Sequence, residues 1–220
     1  MPYLHHDPPF IFGHVPKTGG TWLKTAVELD KVHGMHGPPR QLSYQLHSHR
    51  VVAQIRDPWS WYGSLYLHLL AMGRESSLAW WGDGSSEFAD VLYGWTHLEE
   101  RCQDRMGPLG VYEHEGPGEP PRVGGLWTWF YRSFLGEIDA TLVDLAQAPQ
   151  GWTTLLDGPL PDTEPANVRG SADYYRATYT DDLRAMVAAA DDALIAHCGY
   201  TFLGSAAAGP TIHWPQLAEG

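Results

Sequence analysis

The chain has 220 residues, of which 43% are hydrophobic and 18% are charged, which is typical of a globular protein and excludes an intrinsically disordered one. Its formal net charge is −12, from 14 Lys and Arg against 26 Asp and Glu, and such a surface would repel the phosphates of a nucleic acid. We therefore expect no nucleic-acid partner, and any anion that the protein binds must be held by a local positive site.

The N-terminus and the cysteines indicate a soluble intracellular protein. The first seven residues lack the basic and apolar regions of a signal peptide. The longest uncharged run, residues 58–73, is too short to cross a bilayer. Cys102 and Cys198 form neither a disulfide framework nor a metal-type pair. We expect a cytoplasmic location and no membrane partner.

Hydrophobic patterns in the first third of the chain predict a strand–loop–helix unit of an α/β fold. Residues 10–15 and 51–55 are apolar runs typical of parallel strands buried on both faces. A helix is predicted from Thr21 onward and another over 59–72, with Pro58 at its first position.

The rest of the chain predicts further helices, over 88–98, 127–135 and 181–198. Thr180 is the expected N-cap of the last helix, and Gly199 is expected to end it. The predicted fold is a single α/β domain over residues 1–204, with a central parallel sheet flanked by helices. Residues 205–220 are predicted to be a loose tail.

The segment between the first strand and the first helix reads Pro-Lys-Thr-Gly-Gly-Thr-Trp, residues 16–22. Glycines let a backbone approach a ligand closely, and the N–H groups of a first helical turn attract anions. Lys17 adds a positive charge, and Thr18 and Thr21 add hydroxyl donors. The segment predicts a site for a phosphate-like group, and the alternative is an ordinary corner with an exposed lysine. It is not a Walker A loop, because Lys17 precedes the two glycines.

A second pair of polar residues follows the second strand. Arg56 comes directly after the strand, and Ser64 lies almost two turns into the next helix. An arginine fork and a hydroxyl can together bind a second anion. The alternative is that Arg56 pairs with Asp57 and that Ser64 is a small packing residue.

Together these segments resemble the sulfotransferases that use 3′-phosphoadenosine-5′-phosphosulfate (PAPS). The residues from His14 to Thr21 resemble the family's 5′-phosphosulfate loop, in the form seen in carbohydrate and many bacterial members. Ile55-Arg56-Asp57-Pro58 with Ser64 resembles its 3′-phosphate motif, and residues 175–202 resemble the closing helix of bacterial members. The resemblance covers residues 10–72 and 167–203.

The resemblance implies a P-loop-NTPase-like sulfotransferase fold and a role for each motif residue. The 5′-phosphosulfate would be bound by Lys17, Thr18, Gly19, Gly20, Thr21 and Trp22. Arg56 and Ser64 would bind the 3′-phosphate. The enzyme would move a sulfuryl group in line to a hydroxyl or amine of a small-molecule or carbohydrate acceptor, with Lys17 as a catalytic residue and without a metal. The basic, Gly-containing C-terminal motif of the cytosolic family members is missing, and Arg169 and Ser171 are only weak substitutes.

A general base should accept the acceptor's proton. His36 is the predicted base, because it lies in a Gly/Pro-rich loop between the two phosphate motifs and because imidazole titrates near neutrality. The other candidates are His33, His49, Glu113 and Glu115.

Two other functions fit the same residues: a P-loop-type small-molecule kinase, and a nucleotide-binding module without catalytic activity. A kinase would need magnesium, which a sulfotransferase would not. None of the histidine clusters has the spacing of a known zinc site, so we expect no metal. The sequence indicates neither the acceptor nor the oligomeric state.

Overall fold

A computed structural model describes residues 2–32, 48–98, 124–136, 138–160, 177–202, 207 and 209–214. The chain forms two compact units. The first unit comprises residues 1–57, 130–168 and 196–217, and the second comprises 58–129, 169–195 and 218–220.

The first unit contains a six-stranded mixed sheet. Its strands are β1 (Pro2–His6), β2 (Pro9–Gly13), β3 (Asp30–Lys31), β4 (Arg50–Ile55), β5 (Ala140–Asp144) and β6 (Thr211–His213). The order across the sheet is β3-β1-β2-β4-β5-β6. The three middle strands, β2, β4 and β5, are parallel, while the outer pairings are antiparallel. The predicted α/β class and its parallel strands are confirmed, but the whole sheet is mixed rather than parallel.

The described helices are α1 (Gly20–Ala26), α2 (Pro58–Ala71), α3 (Glu75–Trp81), α4 (Phe88–Thr96), α5 (Leu126–Leu135), α6 (Ala148–Leu156), α7 (Asp181–Ala190) and α8 (Asp192–Cys198). A 3₁₀ turn, Leu145–Gln147, joins β5 to α6. The helices predicted near 59–72, 88–98 and 127–135 are confirmed as α2, α4 and α5. None of the described helices is long and apolar enough to cross a membrane.

The core of the first unit is formed around β2 and β4, in which almost every side chain is buried. Phe12 and Val52 are fully buried and pack with Leu23 of α1 and Trp152 of α6. Such continuous burial explains why both strands read as uninterrupted apolar runs. The sheet thereby holds the loop between β2 and α1 on a rigid base.

In the second unit, α3 and α4 pack closely against each other, and α2 and α7 complete the helical cluster. Trp61, Trp81 and Trp95 are fully buried there. A Cβ atom on Gly94 would lie 2.1 Å from the Trp81 carbonyl oxygen, so this contact requires glycine. These buried indole rings make up much of the unit's apolar core.

The C-terminal segment differs from the predicted loose tail. Residues Thr211–His213 pair with β5 as an edge strand, and the Trp214 side chain is buried. The Trp214 backbone N–H donates to Ala140 O at 2.7 Å, and its indole Nε1 donates to Gly136 O at 2.9 Å. A three-residue strand has too short a pattern to be recognised in sequence, and its pairing with β5 decides its conformation.

The last predicted helix is divided in two. Thr180 caps α7 as predicted, since its hydroxyl accepts from Leu183 N at 3.3 Å, and Gly199 has the left-handed φ of 73° expected after α8. The helix is interrupted at Asp191, whose side chain is buried. The sequence pattern continues through this position, so only the contacts of Asp191 reveal the break.

Candidate anion-binding site

The predicted anion-binding loop lies at the edge of the sheet where the parallel strands end. Gly13 of β2 pairs with Ala53 of β4, and Ile55 of β4 pairs with Asp144 of β5. The segments that follow these three strands therefore leave the sheet at the same edge. In open α/β sheets, ligands bind outside the carboxyl ends of the strands.

The backbone of the loop turns sharply at two residues. Lys17 has a φ of 65° and Gly19 a φ of 80°, both in the left-handed region, and Gly20 begins the right-handed helix α1. Alternation of left- and right-handed residues makes successive N–H groups converge into a concave anion-binding nest. Lys17 is strained in this conformation, and such strain is found preferentially at functional sites.

Close packing beneath the loop explains both glycines. A Cβ atom on Gly19 would lie 2.7 Å from Leu145 Cδ1, and one on Gly20 would lie 2.1 Å from His14 Cδ2. The His14 ring is a rigid obstacle, so a larger residue at position 20 would displace it. The Gly pair thus lets the loop lie directly against the sheet edge.

Thr18, Thr21 and Trp22 occupy three different environments. Thr18 is fully buried, and its hydroxyl donates to Val15 O at 2.8 Å, so its side chain braces the loop from within. Thr21 is exposed, and Trp22 is partly buried against the core of the first unit.

His14 forms one wall of the loop. Its ring stacks on Phe12, with the centroids 6.1 Å apart. Burial, aided by the nearby positive charge of Lys24, lowers the pKa of His14 to about 4. The imidazole is therefore neutral at pH 7. This packing role of His14 could not be predicted from the sequence, because a histidine after a strand resembles many surface histidines.

Arg56 lies beside the loop. Its Nη1 atom donates to the carbonyl oxygen of Lys17 at 3.5 Å. Arg56 and Lys17 are both partly buried. This contact brings two cationic residues, 39 positions apart in the chain, to one edge of the sheet.

Asp144, at the end of β5, has a structural role, because its carboxylate is hydrogen-bonded to protein groups. Its buried carboxylate accepts hydrogen bonds from Tyr200 Oη at 2.8 Å, Gln147 Nε2 at 3.1 Å, Ala207 N at 3.2 Å and Ala146 N at 3.4 Å. These donors occupy both oxygens. The residue thus anchors Tyr200 and Ala207 to the end of the sheet.

The remaining predicted residues lie elsewhere. Ser64 is buried in the middle of α2, in the second unit. His49 directly precedes β4, at the opposite end of that strand from Arg56, and this position argues against His49 as the base. Several predicted residues lie outside the described part of the chain, namely His33, His36, Glu113, Glu115, Arg169 and Ser171.

No protein-family model matches the chain, and no curated protein or solved structure matches it either. Within the described residues, no group of three or more His, Cys, Asp or Glu side chains could hold a metal ion. Functional inference therefore depends on the loop, its neighbours and the motifs in the sequence.

Proposed function

We propose that the protein is a PAPS-dependent sulfotransferase with a P-loop-like nucleotide site. The observation that carries this proposal is the hydrogen bond from Arg56, a residue of the second motif, to the carbonyl of Lys17 in the first motif. A nucleotide with phosphates at both its 5′ and 3′ positions needs two neighbouring anion sites. The resemblance of residues 14–21 and 55–64 to the family motifs supports PAPS as that nucleotide.

In this proposal the loop binds the 5′-phosphosulfate through Lys17 and the N–H groups of residues 18–22. Fixed N–H donors and a lysine are suited to a multiply charged oxyanion. Arg56 binds the 3′-phosphate with its guanidinium fork, and Ser64 is assigned to the same phosphate by its place in the motif.

The proposed reaction is an in-line displacement at sulfur. The acceptor oxygen or nitrogen attacks the sulfur atom, and the bond from sulfur to the 5′-phosphate oxygen breaks. Negative charge builds on that departing oxygen, where Lys17 and the loop N–H groups stabilise it. The products are the sulfated acceptor and the 3′,5′-bisphosphate nucleotide.

A general base accepts the acceptor's proton, and we assign this role to His36 from its position in the sequence. Removal of a general base lowers turnover by roughly 10²–10⁴-fold. If the variant His36→Ala had near-native turnover, His36 would play no part in the mechanism.

The decisive experiment compares the affinities of adenosine 3′,5′-bisphosphate and AMP by calorimetry. We expect the native protein to prefer the bisphosphate and the Arg56→Ala variant to lose most of that preference. A charge-assisted hydrogen bond contributes about 1.5–3 kcal/mol, equivalent to about 10- to 100-fold in affinity. Arg50→Ala is the matched control, because exposed Arg50 lies at the amino end of the same strand and bonds to Thr141.

Equal affinity of the native protein for both nucleotides would contradict the assignment. Activity that requires magnesium and transfers a phosphoryl group from ATP would instead support the kinase alternative. Bisphosphate binding without turnover on any acceptor would support a binding module.

A further inference from the structure

Gln54 is a fully buried polar residue in the core strand β4. Its side-chain amide lies between the Thr18 carbonyl oxygen and Trp152 Nε1, and we assign its nitrogen to the side of Thr18, at 3.1 Å, and its oxygen to the side of Trp152, at 3.2 Å. Only this orientation makes both contacts hydrogen bonds, because the indole can only donate and the carbonyl can only accept. Trp152 therefore fixes the direction in which Gln54 donates.

The contact with Thr18 controls the peptide group that leads into Gly19. In a trans peptide the C=O and the following N–H point in opposite directions within one plane. When Gln54 holds the Thr18 carbonyl, the Gly19 N–H must point away from the buried strand. In the same way, the bond from Arg56 to the Lys17 carbonyl directs the Thr18 N–H away from Arg56.

Thr18 is braced on its side chain as well. Its hydroxyl donates to Val15 O at 2.8 Å, so both its side chain and its carbonyl are bound to protein groups. Two successive peptide groups of the loop are thus fixed by partners on the sheet side. Planarity of the Thr18–Gly19 peptide directs the Gly19 N–H to the other side, where the nest would hold an anion.

A buried glutamine is costly unless its amide is fully bonded, and an apolar residue would suit the interior of a parallel strand better. The residues on either side of it, Ala53 and Ile55, are apolar. In this orientation its amide nitrogen donates to the Thr18 carbonyl of the loop. This points to a role for Gln54 in the loop's geometry beyond packing.

We propose that Gln54 is a positioning residue that holds the loop of residues 14–20 in its anion-binding conformation by fixing the Thr18–Gly19 peptide. The identity of the nucleotide rests on the proposed function above, whereas the positioning role requires only that the loop bind an anion. Two probes separate these claims: adenosine 3′,5′-bisphosphate for the function, and inorganic sulfate, which keeps its charge across neutral pH, for the loop.

The test variant is Gln54→Glu. Its protonated carboxyl can still donate to the Thr18 carbonyl, but its ionised form cannot and would repel that oxygen. Burial raises the pKa of a carboxyl group, so the change between these forms should occur above the ordinary Glu value. We expect near-native sulfate affinity at about pH 5 and at least a 10-fold loss relative to the native protein at about pH 8.

The matched control is Gln147→Glu at the same edge of the sheet. The Gln147 amide donates to Asp144 and to Ala207 O rather than to the loop. The Gln147→Glu variant introduces the same carboxyl group near the loop but leaves the bond to Thr18 intact. An equal pH-dependent loss of sulfate affinity in both variants would overturn the proposal. Circular dichroism at each pH confirms that the variants are folded.

A second variant covers the case in which Gln54→Glu does not fold. Trp152→Phe keeps the packed ring but removes the indole donor, so the Gln54 amide can rotate away from Thr18. We expect a several-fold weaker affinity for sulfate, and native affinity in this variant would count against the proposal. Failure of the native protein to bind sulfate or the bisphosphate would overturn both proposals, whereas sulfate binding without nucleotide preference would overturn only the function.

Discussion

The loop of residues 14–20 and the turn between α7 and α8 both bury polar groups, but they use them differently. In the loop, partly buried Arg56 holds the carbonyl of Lys17 and fully buried Gln54 holds that of Thr18. In the turn, the buried carboxylate of Asp191 accepts hydrogen bonds from Tyr62 and Thr128. The first arrangement leaves N–H groups directed outward, whereas the second closes on itself.

The Asp191 cluster lies within the second unit. Tyr62 Oη donates to Asp191 Oδ2 at 2.8 Å, and Thr128 N donates to Oδ1 at 3.0 Å. The Tyr62 oxygen in turn accepts from Trp127 N at 3.1 Å. A Cβ atom on Gly125 would lie 2.5 Å from Tyr62 Oη and 2.8 Å from Asp191 Oδ2, so the cluster packs directly against this glycine.

We expect the polar network of the loop to serve the proposed anion site and that of Asp191 to stabilise the fold. Changes in the loop should affect binding and turnover with little effect on stability. Changes in the Asp191 cluster should affect stability and its pH dependence.

The largest effect is expected for Lys17→Ala, which should lower turnover more than it weakens binding of the bisphosphate product. Loss of one preorganised donor costs about 10²–10³-fold in rate, or about 2.7–4 kcal/mol. Stability should change little, because the strain of a left-handed lysine remains with alanine. Steady-state kinetics and urea unfolding measure the two effects.

Lys24→Ala is the control for Lys17→Ala. Lys24 lies one turn into α1, and its ammonium donates to Tyr3 Oη at 3.2 Å rather than to the loop. An equal loss of turnover in both variants would show a general effect of charge. Turnover should also persist in EDTA, and its loss on chelation with recovery in magnesium would contradict the sulfotransferase mechanism.

The next effect is a pH-dependent contribution of Asp191 to stability. Burial raises the pKa of Asp191 from 3.8 to about 6, despite the hydrogen bonds from Thr128 and Tyr62 that favour the ionised form. The folded state thus binds the proton more tightly than the unfolded state does. Stability from this group is fully present below about pH 3.8 and is lost as the pH rises through about 6. The difference corresponds to about 3 kcal/mol.

Asp191→Ala isolates this contribution in urea unfolding at several pH values. At about pH 4 we expect it to destabilise the protein by about 3 kcal/mol, because it leaves a cavity and two donors without their acceptor. At about pH 8 the loss should nearly vanish, since the variant also removes a costly buried charge. A loss independent of pH would show that Asp191 titrates normally.

The smallest effect is expected for Tyr62→Phe. Losing one buried hydrogen bond to a charged group costs about 1.5–3 kcal/mol, and the remaining cluster can offset part of this, so we expect about 1 kcal/mol. The pKa of Asp191 should rise further, because one donor to its carboxylate is gone. Tyr66→Phe is the control, since Tyr66 lies on the same helix but donates to Ser86 O. Equal pH profiles for the two variants would contradict a link between Tyr62 and Asp191.

The sequence alone determined the elements whose patterns are local. The apolar runs of β2 and β4, the proline at the start of α2 and the threonine cap of α7 follow from side-chain burial and from donors near a helix end. The two glycines of residues 16–22 likewise predicted a tight turn between β2 and α1, which the positive φ of Gly19 confirms. These features depend on neighbours within a few residues, which one sequence displays.

Only the tertiary structure decided the features that join distant residues. Three features depend on partners far away in the chain: the edge strand β6, the break at Asp191 and the contact of Gln54 with Thr18. The smallest of these separations, between Gln54 and Thr18, is 36 positions. A glutamine inside an apolar strand, or an aspartate inside a helical pattern, disagrees with the local pattern, and its hydrogen-bond partners explain why it is there. Burial of a polar side chain is tolerated only when the side chain is hydrogen-bonded. The roles of Gln54 and Asp191 could therefore be assigned only once the fold showed their partners.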